Sequence, residues 1–148
     1  MTDCVHFLKP ALRAQDVYHF QERQKQFCMP YQGRMAYPVW TSRKPRRENE
    51  MINGGSVYWI VKNQIQVRQE IWALETIQPQ DDGEKPSFMI LCNPELIRVQ
   101  PIARRAFQGW RYLEADNAPP DIGVLSDLSA DDAIPQEMES DLRSAGLL

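Results

Sequence analysis

Residues 56–71 read Ser56-Val57-Tyr58-Trp59-Ile60-Val61-Lys62-Asn63-Gln64-Ile65-Gln66-Val67-Arg68-Gln69-Glu70-Ile71. Val57–Val61 is a run of β-branched and aromatic residues, the composition that suits a pleated, buried strand. Lys62-Asn63 reverses the chain, although the glycine usual in a two-residue hairpin turn is missing. A second strand follows, with Ile65, Val67 and Ile71 on one face and Gln64, Gln66, Arg68 and Glu70 on the other. Trp72 and Leu74 fall on the polar side of that alternation. A bulge, or a second sheet packing there, accounts for the change after Glu70. The stretch therefore predicts a hairpin buried on at least one face.

Outward from the hairpin, Asn53-Gly54-Gly55 ends a short helix that runs from Arg46 or Arg47 to Ile52, with Pro45 in its first turn. Pro30, Gly33 and Pro38 predict loop for the preceding segment. Asp16 caps a helix reaching about Cys28, with Val17, Phe20, Gln24 and Phe27 on its inner face. Cys4–Leu8 reads as a first strand closed by Lys9-Pro10. Downstream, Asp81-Asp82-Gly83 is a turn, Ser87–Cys92 a strand, and Leu96–Gln100 a further strand ended by Pro101. Arg104–Leu113 does not commit to helix or strand. Ala118-Pro119-Pro120 marks a boundary. Beyond it Ser129 can cap a helix over Ala130–Met138 that Pro135 interrupts, within an acidic and poorly ordered tail. These readings give one domain over residues 1–122 and a tail over 123–148. Too few residues separate the later strands for βαβ crossovers. The expected fold is α+β, a small mixed and largely antiparallel β-barrel with helices at its rim.

The chain has 148 residues and a net charge of −3, unevenly spread. Residues 1–111 hold sixteen basic and eleven acidic residues, whereas residues 112–148 hold one and nine. A basic body thus carries an acidic end, which can lie over the basic face as a weak mimic of nucleic acid or stay disordered. The longest apolar runs fall far short of a membrane span, and the first twenty residues do not read as a secretory signal. Cys4, Cys28 and Cys92 are odd in number and widely spaced, which suits neither a disulfide framework nor a metal site. The expectation is a cytoplasmic protein with free thiols, no metal and no cofactor, and no membrane partner.

Three segments carry candidate chemistry. Thr41, Arg43, Lys44, Arg46 and Arg47 can neutralise or hydrogen-bond phosphates. Arg68, on a rigid strand beside Tyr58, presents a guanidinium fork to a phosphate, a carboxylate or a base edge. Arg104, Arg105, Trp110, Arg111 and Tyr112 mix cations with stacking rings, as single-stranded nucleic acid requires. Each has a structural reading beside the functional one. A charge run is solvated surface, Arg68 pairs with Glu70 or Glu75, and the tryptophans are core. No nucleophile motif, P-loop or dinucleotide fingerprint occurs.

The blocks Asn53–Lys62, Ile65–Gln69, Asn93–Arg98 and Arg104–Leu113 resemble a bacterial family of unknown function, DUF1489, over about residues 4–122. That likeness implies no reaction. A looser resemblance is to PUA-like domains, including the ASCH group, which are small β-barrels that often bind RNA. It implies a cleft lined by Thr41, Arg43 and Lys44 beside Tyr58 and Arg68. The leading expectation is a protein that binds RNA or another nucleic acid through one basic and aromatic cleft, as a monomer or weak homodimer. The alternatives are an enzyme acting on a nucleotide or phosphate metabolite, and a protein-interaction module.

Overall fold

The computed structural model describes residues 4–81 and 83–127. In chain order the elements are β1 (Val5–Pro10), α1 (Val17–Lys25), β2 (Met29–Tyr31), β3 (Arg34–Thr41), α2 (Glu48–Ile52), β4 (Ser56–Val61), β5 (Gln64–Ile77), β6 (Ser87–Cys92), β7 (Ile97–Ala103), β8 (Arg111–Glu114) and β9 (Asp121–Val124). Short 3-10 turns occupy Ala115–Asn117 and Leu125–Asp127. The ladder runs β2-β3-β6-β5-β4-β1-β8, and β7 joins it on β5 with β9 outside. Only β1 and β4 are parallel among the described strands. The protein is thus mainly β with two short helices, as an α+β fold requires. Its mixed sheet is open, because β2, β8 and β9 end the ladder without pairing to one another.

The long strand β5 organises this sheet. Its first half pairs with β4 on one side and β7 on the other, and its second half leaves both to pair with β6. The register slips between Ile71 and Ala73, leaving Trp72 as the extra residue. That bulge is where the alternation of the sequence changes character. At the other end of β5, Lys62 and Asn63 both adopt left-handed backbone (φ 52° and 62°), so the hairpin turns tightly without glycine. The Asn63 carbonyl accepts from Arg104 N–H at 2.9 Å and its side chain from Ala106 N–H, so this tip also anchors a later segment.

Residues 29–41 form a β-hairpin where loop was expected. Gln32 and Gly33 make the turn with positive φ. Pro30 lies on the edge strand β2, and Pro38 lies past the last β2 partner, on a stretch paired along one side only. Proline is tolerated at such edges because no ladder hydrogen bond there needs its missing N–H. Gly54 (φ 97°) ends α2, and Gly55 donates to the Met51 carbonyl at 2.9 Å. A Cβ on Gly55 would strike the carbonyl oxygens of Met51 and Val5, so glycine lets α2, β1 and β4 meet.

The main core lies between the sheet and α1. Asp16 caps the helix, accepting from His19 N–H at 2.7 Å. Val17 and Phe20 pack inward, Phe20 edge-on against Trp59 at 4.8 Å. Gln24 also points inward and exchanges two hydrogen bonds with Gln69, at 3.1 and 2.7 Å, while Gln69 accepts from the Trp59 indole at 3.0 Å. Phe27, expected on the inner face, is 61% exposed because the helix ends at Lys25. A second, smaller core on the opposite side of the sheet joins Leu8, Tyr58, Ile60, Ile65, Val99 and Leu113, with Phe107 and Ala118 over it.

The composition boundary at residues 118–122 falls at and inside β9, which pairs with β7. Leu125 behind it is fully buried and donates to the Leu96 carbonyl at 2.8 Å. The sequence Asp121-Ile122-Gly123-Val124 has weak strand propensity, and its pairing with β7 and the Leu125 anchor make it a strand. Of the acidic tail expected over residues 123–148, residues 123–127 form the end of β9 and the 3-10 turn after it; the rest, with the helix expected after Ser129, lies outside the described residues.

Candidate nucleic-acid interface

The expected site residues divide into three groups. In the first, the basic loop after β3 meets the start of β8. Thr41 Oγ1 accepts from Arg43 N–H at 3.2 Å and shapes the turn. Arg43 lays its guanidinium over the Trp110 ring at 4.2 Å and donates to the Trp110 carbonyl at 3.0 Å. Trp110 in turn stacks on Phe7 at 4.6 Å, so a core residue carries the arginine. Lys44 sits 3.7 Å from Glu48, and Arg46 is exposed. Arg47 is engaged on every side. It pairs with Glu50 and Glu114 at 2.7 Å each, and its N–H donates to the Tyr112 hydroxyl at 3.2 Å. These bonds raise its pKa and hold both carboxyls below their usual range. Arg47 and Tyr112 therefore clamp α2 to β8, which leaves neither free for a phosphate.

In the second group, the segment 104–110 folds over the hairpin tip. Phe107 is flanked by Arg111 at 4.5 Å and Arg104 at 5.7 Å. Arg105 is exposed. Arg43, Arg104, Arg105 and Arg111 have no carboxylate partner among the described residues. Beside Phe107 opens a cleft of about 410 Å³, lined by Lys9, Pro10, Leu12, Ala106, Phe107 and Gln108. Leu12 is 68% exposed, and burial pushes the Lys9 ammonium below its ordinary pKa. Gly109 (φ 84°) carries the chain from this cleft to Trp110, whose ring belongs to the main core, whereas Phe107 lies over the smaller core on the other face. Lys9 and Leu12 were missed from the sequence, where Lys9-Pro10 signalled only the end of a strand.

The third group, Tyr58 and Arg68, stands apart. Phe7, Val57, Trp59, Val67 and Trp110 belong to the main core, whereas Tyr58 belongs to the smaller one on the other face. Strand alternation puts Ser56 and Arg68 on that same face. Arg68 pairs with neither Glu70 nor Glu75. Its Nε and Nη2 grip Asp121 of β9 at 2.7 and 2.8 Å, and its Nη1 donates to Ser56 Oγ at 2.9 Å. The Asp121 carboxyl is held low by that bond. Nothing in a local motif links residues 53 positions apart, and the weak strand that carries Asp121 concealed the partner. One concave face holding all three segments, the form the sequence suggested, is not what the fold builds. Two segments meet at the hairpin-tip end of the sheet, and Arg68 lies elsewhere.

No group of three His, Cys, Asp or Glu residues among the described residues is arranged to hold a metal ion. No helix among them is long and apolar enough to cross a membrane. No curated protein and no solved structure shows significant similarity to the chain. A family model described as protein of unknown function (DUF1489) matches residues 7–148 and so includes the acidic end that the resemblance left out. The chain, whose Arg104–Leu113 block forms the wall of the cleft, therefore belongs to the DUF1489 family.

Proposed function

We propose that the protein binds RNA or another single-stranded nucleic acid at the hairpin-tip end of its sheet. The observation that carries this reading is the pair of arginines without carboxylate partners, Arg104 and Arg111, stacked on Phe107 in the wall of the cleft. Such guanidiniums stay free to meet phosphates, and a cleft with Leu12, Pro10 and Phe107 in its walls offers apolar surface to a base. The site so proposed comprises Lys9, Leu12, Arg43, Arg104, Arg105, Phe107 and Arg111. Lys44, Arg46 and Thr41 stand beside it, and Arg47, Tyr112 and Trp110 support it. The PUA-like reading calls for a closed barrel, and the mixed, largely antiparallel sheet with helices beside it supports that reading only coarsely, because the sheet stays open. Three free thiols favour a reducing cytoplasm. We read the chain as a monomer or weak homodimer there.

The test is binding of a fluorescent oligoribonucleotide, and of the matching DNA, at several salt concentrations. Phe107→Ala is expected to weaken binding by about 1–3 kcal/mol, the value of one base–aromatic stack. Arg104→Ala with Arg111→Ala is expected to lower the salt slope by about one unit for each phosphate that is no longer neutralised. A folded wild type that binds neither polymer at about 50 mM salt, where electrostatic attraction is strong, refutes the proposal. Equal binding by wild type and both variants rejects the site.

A further inference from the structure

At the other end of the smaller core is a polar recess of about 340 Å³, within the size range of small-ligand sites. His6, Ser56, Tyr58 and Arg68 form its floor, and the segment from Ala115 to Asp121 forms its wall. It is separate from the cleft, since His6 and Lys9 lie roughly 10 Å apart along β1.

The floor is rigid. Ser56 N–H donates to His6 Nδ1 at 3.0 Å, which places the imidazole proton on Nε2. Burial, and then the nearby Arg68 charge, hold this imidazole neutral. Arg68 is fixed by Ser56 and Asp121 together. Tyr58 is only 4% exposed and packs edge-on against His6 at 4.8 Å. Its hydroxyl has no protein hydrogen-bond partner among the described residues, and it lies within the electrostatic reach of Arg68 and Asp121. The hydroxyl is not among the fully buried atoms without a partner, so it opens into the recess.

The inventory of free groups defines a ligand. Tyr58 O–H and Ser56 O–H are donors without a protein acceptor among the described residues. Arg68 uses three of its five N–H groups on protein, leaving two. Against these donors stands the Asp121 carboxylate, a side-chain acceptor in the lining whose oxygens keep further lone pairs. The Arg68–Asp121 pair is neutral overall, and Glu70 lies on the same face opposite Ser56. A free anion would meet the Asp121 carboxylate here, and a cation would meet the guanidinium.

We infer that the recess binds an uncharged cyclic amide, a ring that carries a C=O beside an N–H. The ring carbonyl accepts from Tyr58 and Arg68, and the adjacent N–H donates to Asp121. A pyrimidine base has this edge, whether free or carried on a strand.

The experiment is amide NMR of the full chain titrated with uracil, 1,3-dimethyluracil, inorganic phosphate, uridine and hexauridylate. Uracil is expected to shift resonances of Ser56, Tyr58, Arg68 and Ala118, and 1,3-dimethyluracil, which lacks the N–H, is not. Tyr58→Phe is expected to weaken uracil binding about five-fold, the share of one neutral hydrogen bond, with an unchanged thermal midpoint. Hexauridylate binding more tightly than uridine at these resonances assigns the edge to a strand, and the reverse assigns it to a free base. Phe107→Ala is expected to leave uracil binding intact, so this site and the cleft stand or fall separately. Equal shifts with 1,3-dimethyluracil, shifts with phosphate alone, or no shift with uracil or uridine overturn the inference.

Discussion

Replacing Gln69 by methionine tests the buried amide pair that docks α1 on β5. Gln69 is fully buried and Gln24 is 3% exposed. In the wild type the two side chains exchange both of their amide hydrogen bonds, and the Trp59 indole shares the Gln69 oxygen. Methionine keeps the unbranched shape of glutamine but offers no useful partner. Gln69→Met therefore orphans two buried groups, the Gln24 amide and the Trp59 N–H. At about 1–3 kcal/mol for each unsatisfied group, the loss is about 2–6 kcal/mol. That is a large share of a domain stability of about 5–15 kcal/mol. In urea, with a slope of about 1–3 kcal/mol per molar, the midpoint should fall by about 1–3 M. The decisive comparison is Gln24→Met with Gln69→Met. The double variant leaves only the Trp59 N–H without a partner, so it should recover about 1–3 kcal/mol over Gln69→Met alone. Equilibrium urea unfolding followed by tryptophan fluorescence measures all three variants. A double variant no more stable than Gln69→Met, or a single variant within about 0.5 kcal/mol of wild type, would refute the reasoning.

Gly55→Ala should destabilise by about 3 kcal/mol or more, because its Cβ meets two backbone carbonyls that no side-chain movement can relieve; urea unfolding reads this directly. His6 has its pKa lowered by burial and by Arg68, so the unfolded chain binds this proton more readily than the folded one. Its contribution is complete above the ordinary value of 6.5 and declines as pH falls through it. The urea midpoint between pH 8 and pH 5 should therefore drop for wild type and drop less for His6→Gln. Removing residues 128–148, which hold five acidic residues and one basic residue, should raise oligonucleotide affinity at low salt, with the gain shrinking as salt increases. Cutting at Pro120 instead should unfold part of the domain, since it removes β9 and the buried Leu125; circular dichroism distinguishes the two truncations.

Local pattern was enough for the central strands. The bounds of β4 and β6, the Asp16 cap, the turn at Lys62-Asn63 and the irregularity after Glu70 are all legible in the order of side chains. Each depends on a residue's relation to its own backbone, which a period of two, a capping oxygen or a left-handed turn expresses directly. The Arg104–Leu113 block likewise marked both the family and the wall of the cleft. What the chain order could not express is which elements meet. Pro30 and Pro38 read as breaks until β6 supplied a partner to one edge of β3 only. Arg68 was read as facing a ligand or pairing with Glu70 or Glu75, because its true partner Asp121 sits on a strand that exists only through its pairing with β7. Alternation told which residues of β4 and β5 share a side, yet it could not tell that Trp110 packs on one face of the sheet and Tyr58 on the other. A strand's sequence encodes two faces without saying what covers either. Tertiary pairing alone decided that the cations divide between an apolar cleft, a structural clamp and a polar recess.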